Sequence, residues 1–258
     1  MYNIKLLLEF DGTSYSGWLR QGNENISTVQ ETVEKAIFDL TGTRVEITGC
    51  SRTDAGVHAV NYVTNFQIDT LIPPENFYKA LNPFLPDNIK AKISCKVEDD
   101  FHATYSAKRK TYRYYFYFGE TQRPMFINRA WNAGKKLDVS SDEALELMND
   151  ACAFFIGKHD FSSFKATGGL AKTSVRTIFD AAVCCCGDNM YFLEICGDGF
   201  LYNMVRIIAG ALIYIGQGKL DEGCITRAIE TGNRLELGIT APAAGLELTR
   251  VEYRLDGD

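Results

Sequence analysis

The segment Met204-Val205-Arg206-Ile207-Ile208-Ala209-Gly210-Ala211-Leu212-Ile213 constrains the fold more than any other. It is apolar on nearly every face, with one arginine near its start. A helix that is hydrophobic all round has to be buried, so the chain must build layers thick enough to enclose it. Arg206 cannot shed its charge there. It needs a carboxylate or phosphate partner, or a route for its head back to water. The sequence leaves both readings open: a snorkelling arginine, or a cation that meets Asp54 in a central cleft.

Such a core is within reach. The chain has 258 residues, 46% of them hydrophobic and 23% charged, enough for one large domain or two ordinary ones. Met1 leads straight into an alternating strand pattern, so no signal peptide is expected. No apolar run reaches bilayer length. The expectation is a soluble, cytoplasmic protein. None of the eight cysteines form a C-x-x-C pair. Cys184-Cys185-Cys186 falls in a strand-like segment, where neighbours point to opposite faces. The cysteines are expected to be small buried hydrophobes, with no disulfide and no metal site.

Tyr2 to Phe10 reads as a strand. Thr28-Val29-Gln30-Glu31 resembles a capping box, opening a helix that buries Val29, Val33, Ile37 and Leu40 and ends at Gly42. Strands are predicted over Arg44–Thr48 and Val60–Ile68, then a helix from Pro73-Pro74 to about Leu81. A strand over Ile89–Val97 would place Ile89, Ala91, Ile93, Cys95 and Val97 on one face. This β-α-β-β-α-β order is that of ferredoxin-like α+β units. Lys110–Phe118 predicts an aromatic strand, with Tyr112, Tyr114, Phe116 and Phe118 on one face and Arg113, Tyr115 and Tyr117 on the other. A helix over 141–156, a loop over 157–164, and strands over Val175–Cys186 and Met190–Cys196 follow. Helices over Met204–Ile215 and Asp221–Thr231 and a strand over Leu246–Tyr253 close the chain. The fold class is α+β: two similar ferredoxin-like or RRM-like halves, 1–105 and 106–258, with mostly antiparallel sheets around a central cleft.

Gly49-Cys50-Ser51-Arg52-Thr53-Asp54-Ala55-Gly56-Val57-His58-Ala59 lies between two of these strands. Asp-Ala-Gly is ordinary turn chemistry, but loops on a rigid scaffold carry function, and Arg52 favours an ionised Asp54. The net charge is −6, yet from His102 to Lys136 the one acidic residue is Glu120, against Lys108, Arg109, Lys110, Arg113, Arg123, Arg129, Lys135 and Lys136. A basic stretch interleaved with aromatics suits an anion and base stacking, although it could also be a solvated loop. Several other signatures fail. Gly197-Asp198-Gly199 lacks the third glycine of a dinucleotide fingerprint. Gly218-Lys219-Leu220 is not a phosphate-binding loop, and no Gly-x-Ser-x-Gly elbow occurs.

Arg52-Thr53-Asp54-Ala55-Gly56-Val57-His58-Ala59 closely resembles the signature of the TruA family of tRNA pseudouridine synthases. Phe101-His102-Ala103-x-Tyr105-Ser106-Ala107 with Lys110-x-Tyr112-Arg113-Tyr114, and His159-Asp160-Phe161-Ser162-Ser163-Phe164 with Val175-Arg176-Thr177-Ile178, resemble further family segments. So do Gly199-Phe200-Leu201-Tyr202-Asn203-Met204-Val205-Arg206 and Ala241-Pro242-Ala243-Ala244-Gly245-Leu246. They occur in family order along nearly the whole chain. The resemblance implies isomerisation of uridine to pseudouridine at positions 38, 39 and 40 of the tRNA anticodon stem-loop, by a homodimer without cofactor or metal. It implies Asp54 as the catalytic aspartate and Arg206 as its basic partner. Tyr112 would stack on the target base and Arg52 would assist its extrusion, with Arg113 and Leu246 also binding substrate. Thr104, Leu19 and Ser51 stand where many members carry Arg, Gln and Gly.

Overall fold

The computed structural model describes residues 1–22, 26–135, 141–169 and 171–254. They form a mixed α/β protein with mostly antiparallel strands. The chain divides into two compact units: Met1–Lys108 joined by the C-terminal segment from Glu247, and Arg109–Leu246.

The first unit begins with β1 (Tyr2–Phe10), α1 (Val29–Thr41), β2 (Thr48–Gly49), β3 (His58–Ile68), α2 (Phe77–Leu81) and β4 (Ile89–Val97). Its strands lie in the order β4-β1-β3, with β2 antiparallel to β3. Alternation along β1 buries Ile4, Leu6 and Leu8 completely, each contributing about 1.5–3 kcal/mol of burial free energy. Thr28 caps α1 by accepting from the Glu31 backbone N–H, and Gly42 ends it in the left-handed conformation (φ +71°).

Two expectations fail in this unit. Residues 44–47 do not form a strand; β2 is confined to Thr48 and Gly49. The backbone N–H of Ile47 donates to Oε1 of Glu34, at 3.0 Å. Glu34 is a buried carboxylate on α1 that also pairs with Arg20. A side chain has taken the place of a ladder partner. In β4 the expected apolar face breaks at Ile93, which is 55% exposed while Ser94 is buried. The register shifts between Leu7↔Ile93 and Leu8↔Ala91, and an extra residue at a bulge re-aims the side chains beyond it.

The second unit comprises β5 (Arg109–Tyr117), β6 (Trp131–Asn132), α3 (Ser141–Cys152), β7 (Gly157–Asp160), β8 (Val175–Gly187), β9 (Met190–Gly197), α4 (Met204–Gly216) and α5 (Gly223–Thr231). Its order is β5-β9-β8-β7, antiparallel throughout, with β6 parallel to the end of β5. The apolar segment is indeed a buried helix: Ile207, Ile208, Ala211 and Leu212 are at most 1% exposed. Close packing depends on its glycines. A Cβ on Gly210 would strike the Ile239 carbonyl, and one on Gly216 would lie 3.0 Å from Met148 of α3. The last strand, β10 (Leu246–Glu252), sets Glu247 and Leu248 parallel to His58 and Ala59 of β3.

The stretch 157–164, expected as a loop, holds β7 and a 3-10 turn, because Gly157–Asp160 pairs with Val175–Ile178. The cysteine expectation holds for Cys50, Cys152 and Cys224, which are buried, and fails for Cys184, Cys185 and Cys186, which are exposed. Pairing with β7 covers only the first residues of β8, and Asn149 of α3 takes both backbone groups of Val183; beyond it, the end near the Gly187-Asp188-Asn189 turn pairs with β9 alone among the described residues. Among the described residues no helix is long and apolar enough to cross a membrane.

Candidate active site

In the first unit, Asp54 opens a four-residue turn. The Val57 N–H donates to the Asp54 carbonyl at 3.2 Å, and Gly56 takes φ +78° at the third position, where a side chain would be strained. The Asp54 side chain is half-buried, Arg52 is exposed, and Thr53 between them is buried.

The turn is braced by the loop between β1 and α1. Trp18 N–H donates to Thr53 O and Gly56 N–H to Tyr15 O, both at 3.2 Å. A Cβ on Gly12 would overlap the Val57 carbonyl, and one on Gly17 would overlap that of Thr53. The two glycines therefore exist so that two backbones can touch. His58, 2% exposed, accepts from the Gly12 N–H on Nδ1 at 3.1 Å, with Asp11 Oδ1 3.2 Å from the same nitrogen. Beneath the turn, the rings of Trp18 and Tyr62 stack with centroids 4.2 Å apart, and the Tyr62 hydroxyl donates to the Ser51 carbonyl. Thr104 donates to the Gly49 carbonyl at 2.6 Å. At that position the chain carries a short hydroxyl that anchors the Asp54 loop.

In the second unit, β5 presents Tyr112 and Tyr114 to the covered side, 5% and 0% exposed. Tyr112 meets Phe200 edge-on at 5.2 Å. Arg206, in the first turn of α4, is half-buried. Its Nε donates to Ala241 O and its Nη1 to Asn203 Oδ1, both at 2.8 Å. Burial pushes the Tyr114 phenol well above its ordinary range, and the charge of Arg206 pulls it back in part. Tyr114 donates to Pro242 O at 2.8 Å, and Gly245 lies so close that a Cβ would come within 2.8 Å of the Tyr114 ring. Tyr112, Arg206 and the buried Leu246 thus belong to one packed region of β5, α4 and residues 241–246.

Arg113 is on the opposite face of β5. Its Nε donates to Glu194 Oε2 at 2.6 Å and its guanidinium lies over Phe192 at 4.6 Å. The Glu194 hydrogen bond holds its pKa above the ordinary arginine value. The basic stretch is partly neutralised in the same way: Arg123 pairs with Asp188 and Lys135 with Glu120, both at 2.6 Å. Lys136 lies outside the described residues. Glu194 and Asp188 come from β9 and the turn before it, which no reading of 102–136 could supply. Among the described residues, no group of three or more His, Cys, Asp or Glu is placed to hold a metal ion.

Sequence reading missed the bracing set of Asp11, Gly12, Gly17 and His58. Its one visible signal was the pair of glycines punctuating 11–18.

A family model described as tRNA pseudouridine synthase matches residues 7–106 and 151–254. Over 253 residues, covering 98% of this chain and 100% of each relative, the chain is 47% identical to a tRNA pseudouridine synthase A of Acetivibrio thermocellus and 46% identical to one of Ruminiclostridium cellulolyticum. It is 43% identical to that of Clostridium acetobutylicum over the same coverage. The chain belongs to the tRNA pseudouridine synthases, a family of isomerases.

Proposed function

We propose that this chain converts uridine to pseudouridine at positions 38, 39 and 40 in the anticodon stem-loop of tRNAs. It would act as a cytoplasmic homodimer without cofactor or metal. The observation that carries the reading is full-length similarity above 40% to relatives named tRNA pseudouridine synthase A, together with an aspartate held on a braced turn. We also read the chain as two related ferredoxin-like halves. The half to residue 105 carries the Asp54 loop, and the half from 106 carries the aromatic strand, the basic stretch and Arg206.

The reaction breaks the N1–C1′ bond of uridine, turns the uracil and rejoins it through C5. The C5 proton leaves and N1 gains one, so atoms and electrons balance within the substrate. Asp54 acts as the nucleophile or base at the sugar or the ring, a role suited to carboxylates at sugar carbons. Arg206 would be the basic partner of that carboxylate, because a cation brought close to a carboxylate favours its charged form. Tyr112 holds the detached uracil by stacking, worth about 1–3 kcal/mol. Arg52 assists extrusion of the nucleotide, which costs a few kcal/mol at a paired site. Leu246 lines the substrate path, and Arg113, on the opposite face of β5 and paired with Glu194, would meet the RNA away from Tyr112.

Release of tritium from 5-labelled uridine in tRNA tests the reading, with transcripts carrying uridine at single positions to fix the sites. The rival is a non-catalytic RNA-binding or chaperone protein on the same fold. Tight tRNA binding with no tritium release from any tRNA would favour that rival.

A further inference from the structure

Within the basic stretch, Arg113, Arg123 and Lys135 are each paired with a carboxylate, whereas another group of cations is not. Lys158, Lys165, Lys172 and Arg176 fall within nineteen residues that contain one acidic residue, Asp160. Among the described residues none of the four makes an ion pair. Lys165 and Tyr202 meet at Gly169, and Arg176 lies against Gly199, three residues before Tyr202. Ala166 N–H donates to the Tyr202 carbonyl at 3.1 Å. A Cβ on Gly169 would lie 2.9 Å from the Lys165 side chain and 3.0 Å from Tyr202 Cβ, so glycine lets both close around it. Arg176 runs past Gly199, where a Cβ would sit 3.6 Å from its Nε. Tyr202 is 45% exposed beside the buried Leu201.

The nearby carboxylates are already engaged. Asp160 accepts from the Ser162 N–H at 2.9 Å, and Asp198 accepts from the Thr177 N–H at 3.0 Å. Arg176 Nη1 donates to the carbonyls of Thr173 and Val175, at 2.9 and 2.6 Å. Those bonds orient the guanidinium and use one of its nitrogens; the fork has five donors in all.

We propose that Lys165, Arg176 and Tyr202 form a contact face for the RNA substrate, the two cations on backbone phosphates and the tyrosine ring under a base. This rests on RNA being the substrate. Arginine and lysine beside an exposed aromatic ring make the pairing that binds single-stranded nucleic acid. The chain carries a net charge of −6, so non-specific attraction does not explain polyanion binding, and a local uncompensated patch has to supply it.

The experiment measures the affinity of a fluorescent tRNA transcript over a salt series. The proteins are the unaltered chain, Lys165→Ala, Tyr202→Ala, the double variant Lys165→Ala/Arg176→Ala, and Lys79→Ala on α2 as a control. Each lost phosphate contact should make the slope of log affinity against log salt shallower by about 0.7–0.9. The double variant should weaken binding by about 10-fold or more at low salt. Tyr202→Ala should weaken it about 5- to 100-fold with the slope intact. Lys79→Ala should match the unaltered chain. Arg176 also holds backbone carbonyls, so Lys165→Ala decides if the double variant misfolds. Normal affinity and slope in a folded Lys165→Ala protein overturns the proposal. Tritium release by the unaltered chain separates the two readings. RNA bound without turnover, with the patch effects present, refutes the proposed reaction and leaves the patch. Turnover with an unchanged slope refutes the patch and leaves the reaction.

Discussion

Nδ1 of His58 lies 3.1 Å from the backbone nitrogen of Gly12 and 3.2 Å from Oδ1 of Asp11. One nitrogen cannot serve both neighbours at once: unprotonated it accepts from Gly12, protonated it donates to Asp11. In either state His58 ties the loop that braces the Asp54 turn. His58→Ala should therefore lower the turnover number for tRNA well before it lowers tRNA affinity. Steady-state kinetics beside a binding titration will show the split, and an equal loss in both would argue against a positioning role.

Gly12→Ala and Gly17→Ala should each destabilise the protein by about 1–3 kcal/mol, because the added methyl overlaps a backbone carbonyl that cannot swing aside. Gly22→Ala is the contrast. That residue also has positive φ, at +65°, but no atom lies within 4 Å of the added group. Urea denaturation midpoints should rank Gly12→Ala and Gly17→Ala below Gly22→Ala.

Asp54→Asn should reduce pseudouridine formation by about 10³-fold or more, as loss of an essential catalytic side chain does, while tRNA affinity stays within a few fold. Tritium release at the normal rate would remove Asp54 from the mechanism.

Arg206→Met should abolish most activity and also lower stability by about 1–3 kcal/mol, since the Ala241 carbonyl and Asn203 lose a charged donor. Tyr112→Phe keeps the ring and its edge contact with Phe200 but removes the hydroxyl. A retained rate means that stacking suffices; a large fall in turnover with normal affinity assigns the phenol a proton.

Thiol reactivity should divide the cysteines. Cys184 and Cys185 are exposed and should react with a maleimide in the native state, with Cys186 slower because desolvation raises its pKa. Burial pushes Cys152 up to about 12 and Cys224 up to about 11, and both should stay protected until unfolding. The sign for stability follows. The unfolded thiols ionise near 9.0 and the folded ones do not, so the stability present below pH 9 is lost as pH climbs toward 11–12. Peptide mapping after timed labelling, and melting temperatures across pH 8–11, check both claims.

Periodicity and punctuation made most of the secondary structure legible. Thr28 and Gly42 bounded α1, the alternation at Tyr112, Tyr114 and Phe116 gave the buried face of β5, and the apolar run at 204 gave α4. The Asp54 turn was legible too, because Asp and Gly at fixed offsets are local chemistry. What failed depended on residues far along the chain. Glu34 took the Ile47 donor, and of the expected strand over 44–48 only Thr48 pairs. A bulge against Leu7 and Leu8 turned Ile93 outward.

The amino-acid order by itself determined the elements, the turn that presents Asp54 and the family to which the chain belongs, since each is written in short-range spacing. Only the tertiary structure decided which charges are spent. Glu194 and Asp188 reach Arg113 and Arg123 from distant sequence, while Lys165 and Arg176, less conspicuous in the sequence, keep no carboxylate partner among the described residues. Charge compensation is a property of neighbours in space, and sequence spacing carries no record of it.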